Sequence, residues 1–231
     1  MKKSALGLSM MFFLLGSSVL YADNNHGISI NGKSLSSFQR GSGVVKTKQA
    51  TLKEFSRIDS DVSLDIVIEK AQSYDYTLRA DDNLLNIVEL VSDGNTLKIR
   101  TNKSYQTNSE MKLHIRTKNL KSLKLDGSSN VALKNLNENA LSIEIDGSGD
   151  VSALNGRVES LSVKADGAYD VNFKSLKVQK ANVMLSGSGD VGLNVSKNIS
   201  GSVRDSASLS YLGGAKVNVS VEDSADVDKI D

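Results

Sequence analysis

The chain has 231 residues, and its 28 Lys and Arg residues nearly balance its 27 Asp and Glu residues. This length provides for a sizeable core, and the near-neutral charge gives no electrostatic footprint for binding nucleic acid. The absence of Cys excludes disulfide frameworks, thiolate metal sites and cysteine nucleophiles, and two His residues make most other metal and Ser-His-Asp sites improbable.

The first 22 residues have the features of a secretory signal peptide. Lys2 and Lys3 precede an apolar run that ends at Leu20, and the small residue Ala22 is followed by polar sequence. The apolar run is short for a membrane helix, which needs roughly 20 apolar residues. We predict that residues 1–22 are removed on export and that the mature chain contains no membrane span. An uncleaved N-terminal anchor is the alternative.

Residues 23–54 are polar and largely without a pattern, and we interpret them as a polar leader or N-terminal cap. From Phe55 onward, apolar and polar residues alternate in short runs that are typical of half-buried strands. The clearest of these runs are Val62–Ile68, Thr96–Arg100 and Met111–Arg116. Leu84–Leu90 is compatible with a helix or a strand. We therefore predict an all-β domain over residues 55–231.

The second half of this domain is an internal repeat. The first four copies begin 20 residues apart, and the last two follow at spacings of 18. The copies are Leu125–Val131, Ile145–Val151, Ala165–Val171, Leu185–Val191, Val203–Leu209 and Val221–Val227. A unit this short cannot enclose a core alone, so successive units must stack. The repeat predicts a single-stranded right-handed parallel β-helix (β-solenoid) with rungs of about 20 residues and about eight or nine turns.

In-phase stacking predicts continuous apolar ladders inside the solenoid. One ladder is Val131, Val151, Val171, Val191, Leu209 and Val227, a second is Leu133, Ala153, Phe173, Leu193 and Tyr211, and a third is Leu125, Ile145, Ala165, Leu185, Val203 and Val221. Glycines at the corners supply positive φ angles, at Gly127, Gly147, Gly167 and Gly187. The small residues that follow them, Ser128, Ser148, Ala168, Ser188, Ser206 and Ser224, are predicted to line the inside of the corner.

Three segments and the repeated corner together resemble a known family. The segments are Phe55–Ile58, Asp81–Leu85 and Asn95–Ile99, and the corner has the sequence Gly-Ser-Gly-Asp-Val at two of the copies. The combination resembles the bacterial DUF2807 family, the head GIN domain of auto-transporter adhesins, over residues 55–228. The resemblance implies a right-handed parallel β-helix in an exported bacterial protein, and it implies no catalytic residues.

Two columns of polar side chains flank the corner on its outer side. One contains Asp126, Asp146, Asp166, Ser186, Arg204 and Glu222, and the other contains Asn130, Asp150, Asp170, Asp190, Ser208 and Asp226. Carboxylates on adjacent rungs, about 4.8 Å apart, repel each other unless something offsets the charge. We predict that the carboxylates accept backbone N–H bonds in their own turns, with no metal or other cofactor. Calcium held by Asp146, Asp150, Asp166 and Asp170 is the alternative.

No residue pattern indicates catalysis. His114 is predicted to be solvated between Lys112 and Arg116, without a catalytic partner. We predict a non-enzymatic, adhesin-like binding module that is exported to the periplasm, the cell surface or the medium. Its expected partner is a glycan or an envelope or surface protein. The alternatives are a polysaccharide-acting enzyme on a β-helix scaffold and a structural envelope spacer without a ligand.

Overall fold

The computed structural model describes residues 38–230 and, before them, only the backbone of four short strands. The protein is all-β, with 67% of its residues in strands. The strands in chain order are β1 (Phe13–Leu15), β2 (Ser18–Ala22), β3 (Ile28–Ile30), β4 (Lys33–Ser34), β5 (Gln39–Arg40), β6 (Val45–Thr51), β7 (Arg57–Asp61), β8 (Asp65–Lys70), β9 (Asp75–Asp81), β10 (Val88–Asp93), β11 (Thr96–Thr101), β12 (Tyr105–Gln106), β13 (Lys112–Thr117), β14 (Ser122–Leu125), β15 (Asn130–Lys134), β16 (Leu136–Gly147), β17 (Asp150–Ala153), β18 (Gly156–Gly167), β19 (Asp170–Leu185), β20 (Asp190–Val203), β21 (Ser208–Leu212), β22 (Lys216–Val221) and β23 (Asp226–Lys229).

The chain divides into two compact units. The smaller unit combines residues 1–40 with residues 103–106, and within it β1–β4 form an antiparallel sheet while β5 pairs with β12 in parallel. The predicted signal peptide and the predicted leader up to residue 37 lie outside the residues whose side chains are described. The larger unit comprises residues 41–102 and 107–231.

The larger unit is a parallel β-solenoid with rungs of about 20 residues, which confirms the predicted fold class. Each regular turn contributes three segments, which define three faces. Face A is formed by residues 122–125, 142–147, 162–167, 181–185, 199–203 and 216–221. Face B is formed by residues 130–134, 150–153, 170–173, 190–193, 208–212 and 226–229. Face C is formed by residues 136–140, 156–160, 176–180 and 194–198.

The three predicted ladders are in register. The first is at most 2% exposed from Val131 to Leu209, because alternate residues of each strand point to the same side of the sheet. Each such side chain contributes about 1.5–3 kcal/mol by leaving water. The third ladder is buried as far as Val203, whereas Val221 in the last turn is 48% exposed.

The first layers of the solenoid do not stack in sequence order. Strand β7 pairs in parallel with β14 on one side and with β11 on the other, and β8 lies in the same way between β15 and β13. Strands β6, β9 and β10 then add antiparallel pairs at this end, and residues 82–87 before β10 form turns. Only about five turns are therefore regular, so the expectation of eight or nine was wrong.

The corner between faces A and B contains the glycines at close contact. Gly147, Gly167 and Gly187 have φ angles of 134°, 116° and 84°. Asp205 and Asp223 continue this column at φ angles of 63° and 60°, in the left-handed region that Asp tolerates better than most residues.

The residues inside the corner are not those predicted. Ser128, Ser148, Ala168 and Ser188 are exposed, and the following residue of each turn is buried instead. That inner column is Ser129, Gly149, Tyr169, Gly189 and Ala207. A Cβ at Gly189 would lie 2.4 Å from the ring of Tyr169, so the ring occupies space that an alanine would need. The small residues therefore accommodate one large aromatic side chain.

Candidate functional site

The outward side chains of face B form a polar trough. Its edge consists of Asp65, Asn130, Asp150, Asp170 and Asp190, and its floor consists of Val67, Ala132, Ser152, Asn172 and Gly192. Most of the floor side chains are short, so the surface between the longer ones is concave. One cleft of about 440 Å³ extends from Asp65 to Asp170, and a second of about 250 Å³ continues from Asp170 to Ser208. We call this surface the face B trough.

The pairing places every member of the predicted second polar column in register along this edge. Two further members come from the irregular layers, because Asn130 is opposite Asp65 and Asp65 is opposite Lys112. The Asn130 amide donates a hydrogen bond to Asp65 over 3.0 Å. Sequence analysis missed Asp65 and Lys112 because no repeat signature aligns residues 57–117 with the later turns.

Stacked carboxylates raise the free energy of the trough edge. Burial raises the pKa of the Asp170 carboxyl, and the neighbouring charges of Asp150 and Asp190 raise it further, against the opposing effect of Lys174. Within residues 38–230, the side chains of Asp146, Asp150, Asp166 and Asp170 accept no hydrogen bond from a backbone N–H. The predicted backbone bonds in each turn are therefore wrong for these four residues.

The calcium alternative also needs several carboxylates around one point. Asp150 is opposite Asp170 on face B, and Asp146 is opposite Asp166 on face A, so the corner separates the two pairs. In the part of the chain that the structure describes, no group of three or more acidic or His side chains is arranged to hold a metal ion. Calcium binding at these aspartates stays a prediction, as does the absence of a metal.

We expect the substitution Asp170→Asn to stabilise the protein at neutral pH. Because the pKa of Asp170 is raised in the folded state, its charge destabilises the fold above that pKa, and the penalty disappears as the pH falls through it. The gain should be less than about 1 kcal/mol, because solvent screens exposed charges. Thermal unfolding at several pH values measures it. Asp126→Asn is the control, since Lys124 Nζ lies 2.9 Å from that carboxylate, and an equal gain there would contradict the explanation.

His114 lies on face B but has a partner that sequence analysis did not foresee. Its Nε2 atom is 3.0 Å from a carboxylate oxygen of Glu69 on the adjacent strand. Arg116 beside it donates a 2.7 Å hydrogen bond to Asp75. These contacts join strands β8, β9 and β13, so the structure gives this histidine a place in an ion-pair network of the first layers. His26, the other histidine, lies outside the described residues.

A second cleft of about 460 Å³ lies on face C, and we call it the face C cleft. Its polar lining residues are Asn137, Glu138, Asn139, Arg157, Glu159, Lys177, Gln179, Asn194 and Ser196. It forms where the pairing of β19 with β20 shifts register, between Phe173 and Lys177 and again between Val178 and Lys180. The change of the repeat from 20 to 18 residues was a sequence signal for this irregularity, but it did not indicate a cleft.

Comparison with known proteins identifies the family. Residues 54–215, more than half of the chain, match the family model described as DUF2807, "Putative auto-transporter adhesin, head GIN domain". The chain belongs to the DUF2807 family. No curated protein matches this DUF2807 chain significantly.

Solved structures share the fold of this DUF2807 protein. A "putative adhesin" from Bacteroides fragilis has a TM-score of 0.70 at 21% identity, with 83% of this chain and 99% of that chain covered. A "putative adhesin" from Parabacteroides merdae has a TM-score of 0.54 at 15% identity, covering 85% and 100%. A "Putative lipid binding protein" from Parabacteroides distasonis has a TM-score of 0.51 at 20% identity, covering 84% and 100%.

The described part of this DUF2807 protein contains no helix with the length and apolarity that crossing a bilayer requires.

Proposed function

We propose that this protein is a non-enzymatic, exported binding module of the cell envelope or cell surface, with an adhesin-like role. The family description and the names of two similar structures support the adhesin part of this proposal. The charged and apolar N-terminal sequence supports export.

The observation that carries the proposal is the face B trough. Its side chains stand on adjacent strands of one hydrogen-bonded ladder, from Asp65 through Asp190. A surface built on strands holds its polar groups at fixed spacing, which lowers the entropy cost of binding. Because the same groups recur on each rung about 4.8 Å apart, the trough suits an extended ligand with repeated polar groups.

The arrangement of the trough is less suited to catalysis. A polysaccharide-cleaving β-helix needs long loops that enclose the substrate and bring acidic and basic groups together. Here the corner between faces A and B contains only a few residues in each regular turn, for example Ser148 and Gly149 between β16 and β17. The Asp carboxylates lie along an open surface rather than in an enclosed pocket. The spacer alternative predicts no ligand at all and is tested by binding.

A ligand array with a turnover assay tests the binding function. We expect the chain, recovered from cells that express it in full, to bind at least one immobilised glycan or envelope protein without releasing cleavage products. Phospholipid vesicles belong in the same experiment because one similar structure is named a lipid binding protein. Substituting both Asp150 and Asp170 by Asn should weaken binding to a ligand of the trough by about tenfold, equivalent to about 1.4 kcal/mol. Product release would support the enzyme alternative, and absence of any binding would support the spacer.

Protease digestion of intact cells tests the location. We expect the protein to be digested without lysis if it is displayed on the surface, while a periplasmic control protein survives. Protection until the outer membrane is opened would contradict the surface role and would limit the search to envelope partners. Retention of the protein in the cytoplasmic fraction would contradict export itself.

A further inference from the structure

The face C cleft differs from the face B trough in its charge. Glu138 lines the cleft, but Lys70 already neutralises it through a 2.5 Å contact. The remaining charged residues of the lining are Arg157, Lys177 and Glu159, so two cations are present with one anion. The edge of the face B trough, by contrast, is a column of aspartates. The two surfaces therefore select ligands of opposite charge.

The two cations are direct neighbours. Arg157 and Lys177 occupy opposite positions on adjacent parallel strands, about 4.8 Å apart along the ladder. None of the salt bridges within residues 38–230 includes either of them or Glu159. Like charges at directly opposite positions destabilise a sheet. The pair thus contributes nothing evident to folding, whereas a bound anion between the two groups would relieve their repulsion.

Side-chain amides surround the cations. Asn137 accepts a 2.6 Å hydrogen bond from Arg157 Nε, which fixes the guanidinium and leaves its terminal nitrogens for a ligand. Gln179 accepts a hydrogen bond from Lys197, and Asn194 donates one to the Lys174 carbonyl, so each keeps the other half of its amide available. Amides both donate and accept hydrogen bonds, as the hydroxyl groups of a sugar require.

The position of the cleft follows from the register shift between β19 and β20. Where the pairing is interrupted, side chains from turns of different length no longer continue one flat ladder. The volume of about 460 Å³ lies within the range of small-molecule sites, about 300–1,000 Å³. The irregular turn therefore creates a concave site that a uniform repeat would lack.

We propose that the face C cleft binds an anionic oligosaccharide, with Arg157 and Lys177 holding a carboxylate or sulfate group and the amides holding hydroxyl groups. This inference rests on the proposed binding function and names a ligand class for it. Arg157 presents a planar donor array that matches a carboxylate or sulfate, and Lys177 adds a second charge-assisted hydrogen bond.

Calorimetric titration of the chain recovered from cells tests the proposal. The probes are oligogalacturonate, which carries carboxylates, a chondroitin sulfate oligosaccharide, which also carries sulfates, and a neutral maltooligosaccharide. We expect at least one anionic probe to bind tenfold or more tightly than the neutral probe. The double variant Arg157→Gln, Lys177→Gln should lose tenfold or more of that affinity, and thermal unfolding checks that it is folded. The control Lys121→Gln, Lys164→Gln removes the same charge outside the cleft and should change affinity less than twofold.

Several outcomes overturn the proposal. Equal binding of neutral and anionic probes would exclude the ligand class, and equal loss in the control variant would show only general charge attraction. Binding that depends on Asp150 and Asp170, but not on Arg157 and Lys177, would overturn the inference and leave the proposed function standing. Failure of all anionic probes, while another ligand of the array binds, has the same meaning. Failure of every ligand on the array would overturn both.

Discussion

The substitution Lys70→Met is expected to destabilise the protein by about 3 kcal/mol or more. Lys70 ends β8, and its Nζ atom lies 2.5 Å from a Glu138 carboxylate oxygen and 2.6 Å from the Asn137 carbonyl oxygen. Glu138 occupies the register position of Val158 in the next turn, and its side chain is only 9% exposed. Removing the lysine leaves a carboxylate in a largely buried place without its counter-charge. Urea unfolding followed by circular dichroism measures the loss.

Two further variants separate the buried charge from the loss of a salt bridge in general. The double variant Lys70→Met, Glu138→Val replaces the pair by apolar side chains and should recover most of the stability, because apolar replacements of buried ion pairs are often neutral or stabilising. Lys164→Met breaks a pair with Glu144 whose side chains are 58% and 40% exposed, and should cost less than about 1 kcal/mol. If Lys70→Met behaved like Lys164→Met, the argument from burial would be wrong.

The substitution Gly167→Ala is expected to cost about 3–5 kcal/mol, through two effects that act together. The φ angle of Gly167 is 116°, which an L-residue with a side chain rarely adopts. An added Cβ would also lie 2.2 Å from the carbonyl oxygen of Gly147 in the preceding turn. That oxygen accepts a 3.0 Å hydrogen bond from the Ala168 amide, so the turns would have to separate where they are joined. Thermal and urea unfolding measure the effect.

Gly94→Ala isolates the first effect. Gly94 has a φ angle of 57°, and nothing lies within 4 Å of an added Cβ. This variant should cost only about 1–2 kcal/mol, the usual penalty of the left-handed conformation. Equal losses at Gly94 and Gly167 would show that contact between turns contributes little, contrary to our interpretation of the corner.

The regular half of the solenoid was predictable from local sequence. The spacing of 20 residues aligns Val131 with Val151 and Val171, and alternation along each strand assigns Asp150 and Asp170 to the outer surface. The same reasoning failed by one residue at the corner, where Tyr169 rather than Ala168 is buried. A large aromatic residue between Gly149 and Gly189 was the available signal, because the two glycines leave room for its ring.

The sequence alone therefore determined the fold class, the apolar ladders and the polar column of face B, because period-two alternation and a fixed repeat are local properties of the chain. Only the tertiary structure decided which layers meet at the irregular end. The contact of Lys70 with Glu138 joins residues 68 positions apart, and the face C cleft depends on a register shift between two turns. Both follow from the path of the chain between layers, which no periodic pattern in residues 57–117 records.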